Sequence, residues 1–296
     1  MSRTSSSEQA DHSAAEFAAT DSAVPRYPVR VVADRVGMPI ATLRSWNRRY
    51  GVGPSTHSPG RHRLYSEVDI AVVQQMQKLI HEGASPSSAA RAAIDSVPPG
   101  RADADSLLAA AMALDSFTAS LLLDRYLRHL GVVDTWNQLI RPTFAAIEAI
   151  QAGGNGCIDV EHALSWAVSR SLQRLPLLAP DASTSIILTC TAGETHTLAL
   201  EALRGALGER GRAALMLGAD VPLTALRDAI KRSEHPVTVT LWSQAGHTAD
   251  PRAVKAVLAA GADAVIAGPG WRSTRLPRAV LRVDTLRDAV EHFVSV

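Results

Sequence analysis

The chain has 296 residues, a formal net charge of +1 and 46% hydrophobic residues, and this length allows two or three domains. No apolar run reaches the roughly 18 residues of a membrane span. The two cysteines, Cys157 and Cys190, are too few for a disulfide framework or a zinc site of their own. Residues 1–25 are rich in Ser, Ala and acidic side chains and lack the basic start and apolar core of a signal peptide. We therefore expect a disordered leader on a cytoplasmic protein that does not associate with membranes.

The charges are distributed unevenly along the chain. Residues 26–65 contain eight Arg and one acidic residue, Asp34, so this segment carries +7 and the remainder of the chain −6. A small, strongly basic module on a mildly acidic body indicates a polyanionic partner for that module.

Residues 26–97 have the pattern of a winged helix-turn-helix. Residues 29–36 have helical apolar spacing and are followed by Gly37, which suits a helix C-cap. Residues 40–50 predict a second helix, with Leu43 and Trp46 facing inward and the arginines facing outward. A Pro/Gly/Ser loop follows, then a basic segment at residues 61–65 that predicts a hairpin, or wing, and then a further helix over residues 68–81.

Two stretches of this module resemble a known family. Residues 41–50 (ATLRSWNRRY) and 59–69 (PGRHRLYSEVD) resemble the MerR-type winged helix. The Trp and the double Arg resemble the branch of light- and cobalamin-responsive repressors, CarH, CarA and LitR. The resemblance implies a homo-oligomer on a double-stranded DNA operator, with the second helix in the major groove and the wing on the flanking backbone. The residues expected to contact DNA are Thr42, Arg44, Arg48, Arg61, His62, Arg63 and Tyr65.

Residues 101–178 carry four helical patterns joined by short connections, which predict a four-helix bundle. The segments GVVDTW (131–136) and IRP (140–142) and the pair Glu161-His162 resemble the cobalamin-capping domain of the same repressors. That family has a Trp ten residues before the Glu, followed in its photoreceptor members by a His. Here these two positions are Gln151 and Ala152. The resemblance implies that Gln151, Glu161 and His162 lie on the upper side of a bound ligand.

Residues 183–296 alternate between strand and helix patterns, which predicts a Rossmann-like, doubly wound parallel sheet. Ligands of such sheets bind outside the carboxyl ends of the strands. A turn of sequence GETHTLA (193–199) lies at the first of these ends. Because Glu194 can fix the tautomer of His196, this turn suits an axial metal ligand. The alternative for the turn taken by itself is an ordinary hydrogen-bonded loop histidine.

This last domain resembles the cobalamin-binding Rossmann-like domain. The family's Asp/Glu, His and Gly correspond to Glu194, His196 and Ala199, and its Gly-Gly pair to Ala267-Gly268. The resemblance implies that cobalamin, with adenosylcobalamin as the expected form, is bound with His196 as the lower cobalt ligand in place of the cofactor's own base. The displaced tail would run along the third strand and past Gly268. The cofactor contacts expected in this domain are Glu194, His196, Ala199, Asp220, Thr238, Thr240, Gly268 and Gly270.

Three functions remain open at this point. The first is a transcriptional repressor whose cobalamin-type domain controls oligomerisation and operator binding, with a response to light as an extension. The second is the same regulator with a pocket that binds no cobalamin and senses another ligand or a protein partner. The third, a cobalamin-dependent mutase or methyl-transfer enzyme, would need a substrate barrel for which the chain has no room and would leave the basic module without a role.

Overall fold

The structure is a computed structural model that describes residues 25–54, 64–100, 103–154, 156–179, 185–278 and 280–295. The chain divides into two compact units, Met1–Ala102 and Asp103–Val296. The leader up to residue 24 and the wing residues Arg61, His62 and Arg63 lie outside the described residues.

The first unit is built from four helices and two short strands in its described part. The first strand, β1, pairs antiparallel with the second, β2, so the segment that precedes the first helix is joined to the last two residues of the predicted wing. The elements in chain order are β1 (Tyr27–Pro28), α1 (Val29–Val36), α2 (Ile40–Tyr50), β2 (Leu64–Tyr65), α3 (Glu67–His81) and α4 (Pro86–Ser96).

Local sequence signals explain where these helices begin and end. Helix α1 ends at Gly37, whose φ of 65° is in the left-handed region that glycine adopts without strain. Helix α3 begins with a capping box in which the Asp69 amide donates to Ser66 Oγ at 3.1 Å and the Ser66 amide donates to Asp69 Oδ2 at 2.8 Å. Leu43, Ile70 and Met76 are fully buried together in the core. The helix-turn-helix expected from the sequence is confirmed.

The second unit begins with a helical bundle. Its second helix, α6 (Ser116–Thr135), is broken at Gly131, which has φ 75° and ψ 176°. The amide of Val132, freed by this break, donates to both carboxylate oxygens of Glu209 at 3.0 Å. The bundle consists of α5 (Asp103–Met112), α6 (Ser116–Thr135), a π-helical turn (Trp136–Ile140), α7 (Arg141–Ala152) and α8 (Ile158–Gln173).

A five-stranded parallel sheet completes this unit, with the strand order β4-β3-β5-β6-β7. Its buried strands are rich in Val, Ile and Leu, as expected for a sheet covered on both faces. The strands are β3 (Ser185–Cys190), β4 (Leu215–Gly218), β5 (Val237–Trp242), β6 (Asp263–Ala267) and β7 (Leu281–Val283). The helices are α9 (Leu198–Glu209), α10 (Leu223–Lys231), α11 (Pro251–Ala259) and α12 (Leu286–Ser295), with a 3-10 turn at Pro269–Ser273.

The two faces of the sheet have different partners. One face packs on α10 and α11. The other packs on α9 and α12 and shares one hydrophobic core with the bundle. The sheet and the bundle therefore form a continuous body, and none of the helices within the described ranges is long and apolar enough to cross a membrane.

Candidate functional site

The turn between β3 and α9 holds His196 in a fixed relation to Glu194. The ring nitrogen Nδ1 of His196 lies 2.5 Å from Glu194 Oε1, and the His196 amide donates to the same oxygen at 3.0 Å. The Glu194 side chain is 1% exposed and the His196 side chain 63%. The pair is therefore a buried carboxylate that holds an imidazole at the surface. Helix α9 begins at Leu198, so the imidazole is carried by the loop that precedes the helix.

Hydrogen bonds keep the Glu194 carboxyl ionised. Burial acts to raise its pKa, but the bonds from His196, Thr248 and Gln244 outweigh burial and lower the pKa to about 2. An ionised Glu194 accepts a hydrogen bond from His196 Nδ1–H, and in this tautomer the lone pair of the ring is on Nε2. Nε2 is thus available as a single metal ligand.

The second oxygen of Glu194 is bound by the loop that follows β5. Thr248 Oγ1 and the Gln244 amide each donate to Oε2 at 2.7 Å, and the Ala245 amide donates at 3.3 Å. This loop follows β5, and the His196 turn follows β3. The two strands are adjacent in the sheet although β4 lies between them in the chain. Such a switch point is where parallel sheets of this strand order bind ligands.

Asp220 stabilises the same turn from the end of β4. Its Oδ1 accepts from the Gly193 amide at 2.6 Å, and its own amide donates to the Glu194 carbonyl at 2.8 Å. Asp220, predicted as a cofactor contact, is exposed and has a φ of 48°. Its observed partners are the backbone of the His196 turn.

Gly268 and Gly270 pack against the loop that binds Glu194. A Cβ at Gly268, whose φ is 103°, would lie 2.3 Å from the Ser243 carbonyl oxygen, and a Cβ at Gly270 would lie 2.5 Å from the Ala245 carbonyl oxygen. Gly268 and Gly270, which we predicted as cofactor contacts, thus make a close backbone approach to the chain itself. A side chain at either position would displace the Glu194-binding loop.

The predicted polar residues of β5 differ in their surroundings. Thr240 is fully buried, and its hydroxyl has no hydrogen-bond partner in the described structure. Thr238 is partly exposed. Ala199 lies in the first turn of α9 and is half-buried.

The bundle residues predicted for the upper side of a ligand fall into two groups. Gln151 Nε2 donates to Glu161 Oε2 at 2.8 Å and to the Cys157 carbonyl at 3.3 Å, so these residues form one cluster. His162 is exposed, next to Glu161 on α8. The structure thus brings Gln151 and Glu161 together.

A polar contact that the sequence did not predict joins the bundle to the His196 turn. Glu201 on α9 is 7% exposed; its Oε1 accepts from Thr197 Oγ1 at 2.8 Å, and its Oε2 accepts from Ser169 Oγ at 2.6 Å. Ser169 belongs to α8, whereas Thr197 is adjacent to His196. An open cleft of about 410 Å³ borders this contact. It is lined by Gln173, Thr197, Glu201, Arg204, Met216 and Gly218.

The first unit presents a basic helix face. Arg44, Arg48 and Arg49 on α2 are exposed, and Thr42 is partly exposed. Tyr65 differs from our expectation, because it is 2% exposed and packs in the module core, where a Cβ at Gly53 would lie 3.1 Å from its ring. We therefore remove Tyr65 from the expected DNA contacts.

Comparison with known proteins identifies the first unit. Residues 27–93 match the family described as MerR HTH family regulatory protein. This segment is a MerR-type helix-turn-helix domain. The family recognised in the sequence is thereby confirmed for the basic module.

Two curated relatives extend the similarity into the second unit. The chain is 27% identical to the HTH-type transcriptional repressor CarH of Myxococcus xanthus, over 69% of this chain and 74% of that protein. It is 28% identical to the HTH-type transcriptional repressor CarA of the same organism, over 68% of this chain and 71% of that protein.

The fold of the second unit also has a counterpart among solved structures. The monomethylamine corrinoid protein of Methanosarcina barkeri aligns with a TM-score of 0.50 and 10% identity, covering 64% of this chain and 95% of that chain. At this identity the match concerns the fold alone. The predicted combination of a helix-turn-helix, a helical bundle and a Rossmann-like parallel sheet is confirmed, while residues 61–63 of the predicted wing lie outside the described residues.

Proposed function

We propose that this protein is a DNA-binding transcriptional regulator, acting as a repressor, whose second unit binds cobalamin and controls operator occupancy. The MerR-type domain and the exposed arginines of α2 support DNA binding. The names of the two Myxococcus relatives support repression. A protein of this kind acts in the cytoplasm.

The Glu194–His196 pair is the observation that carries the cobalamin part of the proposal. One imidazole nitrogen supplies one ligand, which suits a metal whose other positions are filled by a macrocycle. The pair lies at the switch point of the sheet, where ligands bind. The buried hydroxyl of Thr240 lacks a partner two residues before the end of β5, and a bound group would satisfy it. The donor set and this unpaired hydroxyl fit a corrinoid with a tail.

Each residue of the pair has a defined role in this proposal. His196 Nε2 would bind the cobalt from below. Glu194 would hold the ring in the tautomer with the proton on Nδ1 and would make the imidazole a stronger donor. Bound cobalamin would supply a cobalt centre whose upper ligand can be exchanged. Gln151 and Ala152 stand where photoreceptor members of the resembling family have Trp and His, so we propose a response to the presence of cobalamin rather than to light.

The contact between α8 and the His196 turn offers a route to regulation. Glu201 accepts hydrogen bonds from Ser169 on α8 and from Thr197 in the turn, so a ligand that moves the turn would change how the bundle packs on the sheet. A ligand that binds one assembly state better than another shifts the population toward that state. We propose that the cobalamin-bound chain forms the homo-oligomer that occupies a two-fold operator.

Gel-shift titration of the purified chain on its own upstream DNA tests this function. We expect tighter DNA binding with adenosylcobalamin than without cofactor, and equal binding in darkness and in light. The variant His196→Ala should bind DNA as the cofactor-free protein does in every sample. DNA binding of equal affinity with and without cobalamin would contradict the regulatory part of the proposal. A difference in DNA affinity between darkness and light would show a light response.

A further inference from the structure

Positive charge is concentrated on one stretch of the second unit. Residues 251–282 contain six basic residues and one acidic residue, whereas residues 103–296 as a whole contain 18 basic and 20 acidic residues. Four of the six basic residues are arginines that follow β6: Arg272, Arg275, Arg278 and Arg282. Neither the Glu194–His196 pair nor the basic helix of the first unit gives these charges a role.

The crossover from β6 to β7, residues 268–280, presents the arginines on its outer side. Its apolar residues face inward: Trp271 is fully buried, and its indole N–H donates to the Leu241 carbonyl at 3.2 Å. Leu276 and Val280 pack against the same hydrophobic core, which α10 and α11 also cover. The crossover is therefore anchored on the sheet. Its exposed basic residues are Arg272, Arg275 and Arg278.

These three arginines differ from the other arginines nearby in having no partner. Within the described ranges, Arg272, Arg275 and Arg278 form no hydrogen bond and no ion pair. Arg282, by contrast, donates to the Trp271 carbonyl and so holds the crossover. Arg252 on α11 forms an ion pair with Asp250 at 2.9 Å. Three guanidinium groups on one short segment are thus available to an anionic partner.

The chemistry and the spacing of the three groups match a row of phosphates. A guanidinium can bind two phosphate oxygens side by side. Because six residues separate the first arginine from the third, their Cα atoms lie no more than about 20 Å apart. Each strand of a DNA duplex carries one phosphate per about 3.4 Å of helix axis. The three side chains can therefore reach phosphates within one short stretch of duplex.

A protein partner fits this surface less well than DNA does. The centre of a protein interface is apolar and poor in charged residues. In the described part of residues 251–282, Leu281 is the one large apolar side chain that is exposed, at 39%. A chain that holds DNA with its first unit also keeps duplex at a high effective concentration, so that a second, weak contact adds to the affinity.

We propose that the second unit binds the phosphate backbone of the DNA that flanks the operator, through Arg272, Arg275 and Arg278. This inference rests on the DNA binding that is part of the proposed function. The contact adds affinity without adding sequence preference, because phosphates carry no direct sequence information. It lengthens the stretch of DNA that the chain covers and makes the affinity fall more steeply with salt.

Salt titration of the full chain on its own upstream DNA, with adenosylcobalamin present, measures this contact. The crossover variant carries Arg272→Gln, Arg275→Gln and Arg278→Gln. Each phosphate contact contributes about 0.9 to the slope of log affinity against log salt, so the slope should fall by about two to three. The hydroxyl-radical footprint of the variant should also be shorter than that of the wild type. Replacement of the same three residues by Lys keeps the charges and should restore both the slope and the footprint.

A control variant removes the same charge from other exposed positions of the second unit. It carries Arg141→Gln on α7, Arg170→Gln on α8 and Arg210→Gln directly after α9. We expect it to keep the slope and the footprint of the wild type. Both Gln variants should unfold at the wild-type temperature and retain hydroxocobalamin as the wild type does, because the replaced side chains are exposed.

The possible outcomes separate this inference from the proposed function. If the crossover variant keeps the wild-type slope and footprint, or if the control variant loses as much slope, the inference is wrong while DNA binding by the first unit stands. If the crossover variant fails to retain hydroxocobalamin, the arginines serve the cofactor and the inference is wrong. If the wild type binds DNA in no sample, the proposed function fails and the inference fails with it.

Discussion

Replacement of Glu194 by Gln removes the charge that holds His196 while keeping the shape of the side chain. One carboxylate oxygen accepts from the His196 amide and ring, and the other accepts from Thr248 and Gln244. An amide has one oxygen and one NH2 group, so in either orientation its NH2 faces N–H donors. No rotamer of Gln can satisfy both sides of the site.

The size of the effect follows from the pKa of Glu194. It is about 2 in the folded chain against an ordinary value of 4.5. Since one pKa unit corresponds to about 1.4 kcal/mol, the ionised carboxylate stabilises the fold by about 2–3 kcal/mol once solvent screening is allowed for. The folded-state pKa is the lower one, so this contribution is present above pH 4.5 and is lost as the pH falls toward 2.

Differential scanning calorimetry of the ligand-free full chain measures this contribution. At pH 7, Glu194→Gln should lower the unfolding temperature of the second unit by roughly 5–10 °C, and the difference from wild type should shrink on acidification to pH 3. Glu234→Gln, at an exposed position in the same domain, should unfold as the wild type does. If Glu194→Gln unfolds at the wild-type temperature at pH 7, the carboxylate does not hold the turn as described.

Three further predictions concern other parts of the chain. Ser66→Ala removes the capping box of α3 and should cost the first unit about 1 kcal/mol in urea unfolding, whereas an unchanged midpoint would mean that the cap is dispensable. In thiol labelling at pH 7, Cys157 should react first and Cys190 only on unfolding, because burial raises the pKa of Cys190 to about 12; equal rates would show that β3 is accessible. Arg44→Ala should weaken DNA binding and reduce the slope of log affinity against log salt by about one, and an unchanged slope would exclude a phosphate contact.

Much of the fold could be predicted because the signals are local. Gly37 ends α1, Ser66 caps α3 and the alternation of apolar runs with helical patterns marks the sheet domain. Each of these depends on residues within one or two turns of the element that they define. The element boundaries differ by only a few residues, as at α3, which was predicted over residues 68–81 and begins at Glu67.

The site could be predicted only in part, because its supporting contacts join distant segments. Glu194 and His196 are two residues apart and carry a recognisable pattern, but Thr248, which binds the same carboxylate, lies 54 residues further along the chain. Glu201 and Ser169 are likewise brought together by the packing of the bundle on the sheet. Neither contact leaves a spacing in the sequence that could reveal it.

Two residues whose roles came from a resemblance have packing partners within the chain. Tyr65 was expected at DNA and is in the core, because β2 turns it inward against Gly53. Gly268 was expected as a cofactor contact, and its backbone packs on the Ser243 carbonyl. In both positions the residue type satisfies a packing requirement of the chain, which a motif match does not distinguish from contact with a ligand.

The visible spectrum of the purified chain after incubation with hydroxocobalamin and desalting tests the central claim most directly. The wild type should retain the corrinoid in a stoichiometric amount, and His196→Ala should lose it on the column. The ligand-free variant should still unfold cooperatively, at a slightly lower temperature than the wild type, because the ring hydrogen bond to Glu194 is lost while the bond from the backbone amide remains. Because His196 is exposed, its removal leaves the core intact. A wild-type protein that is colourless after desalting, or a His196→Ala variant that retains the corrinoid as the wild type does, would contradict the assignment of His196 as the cobalt ligand.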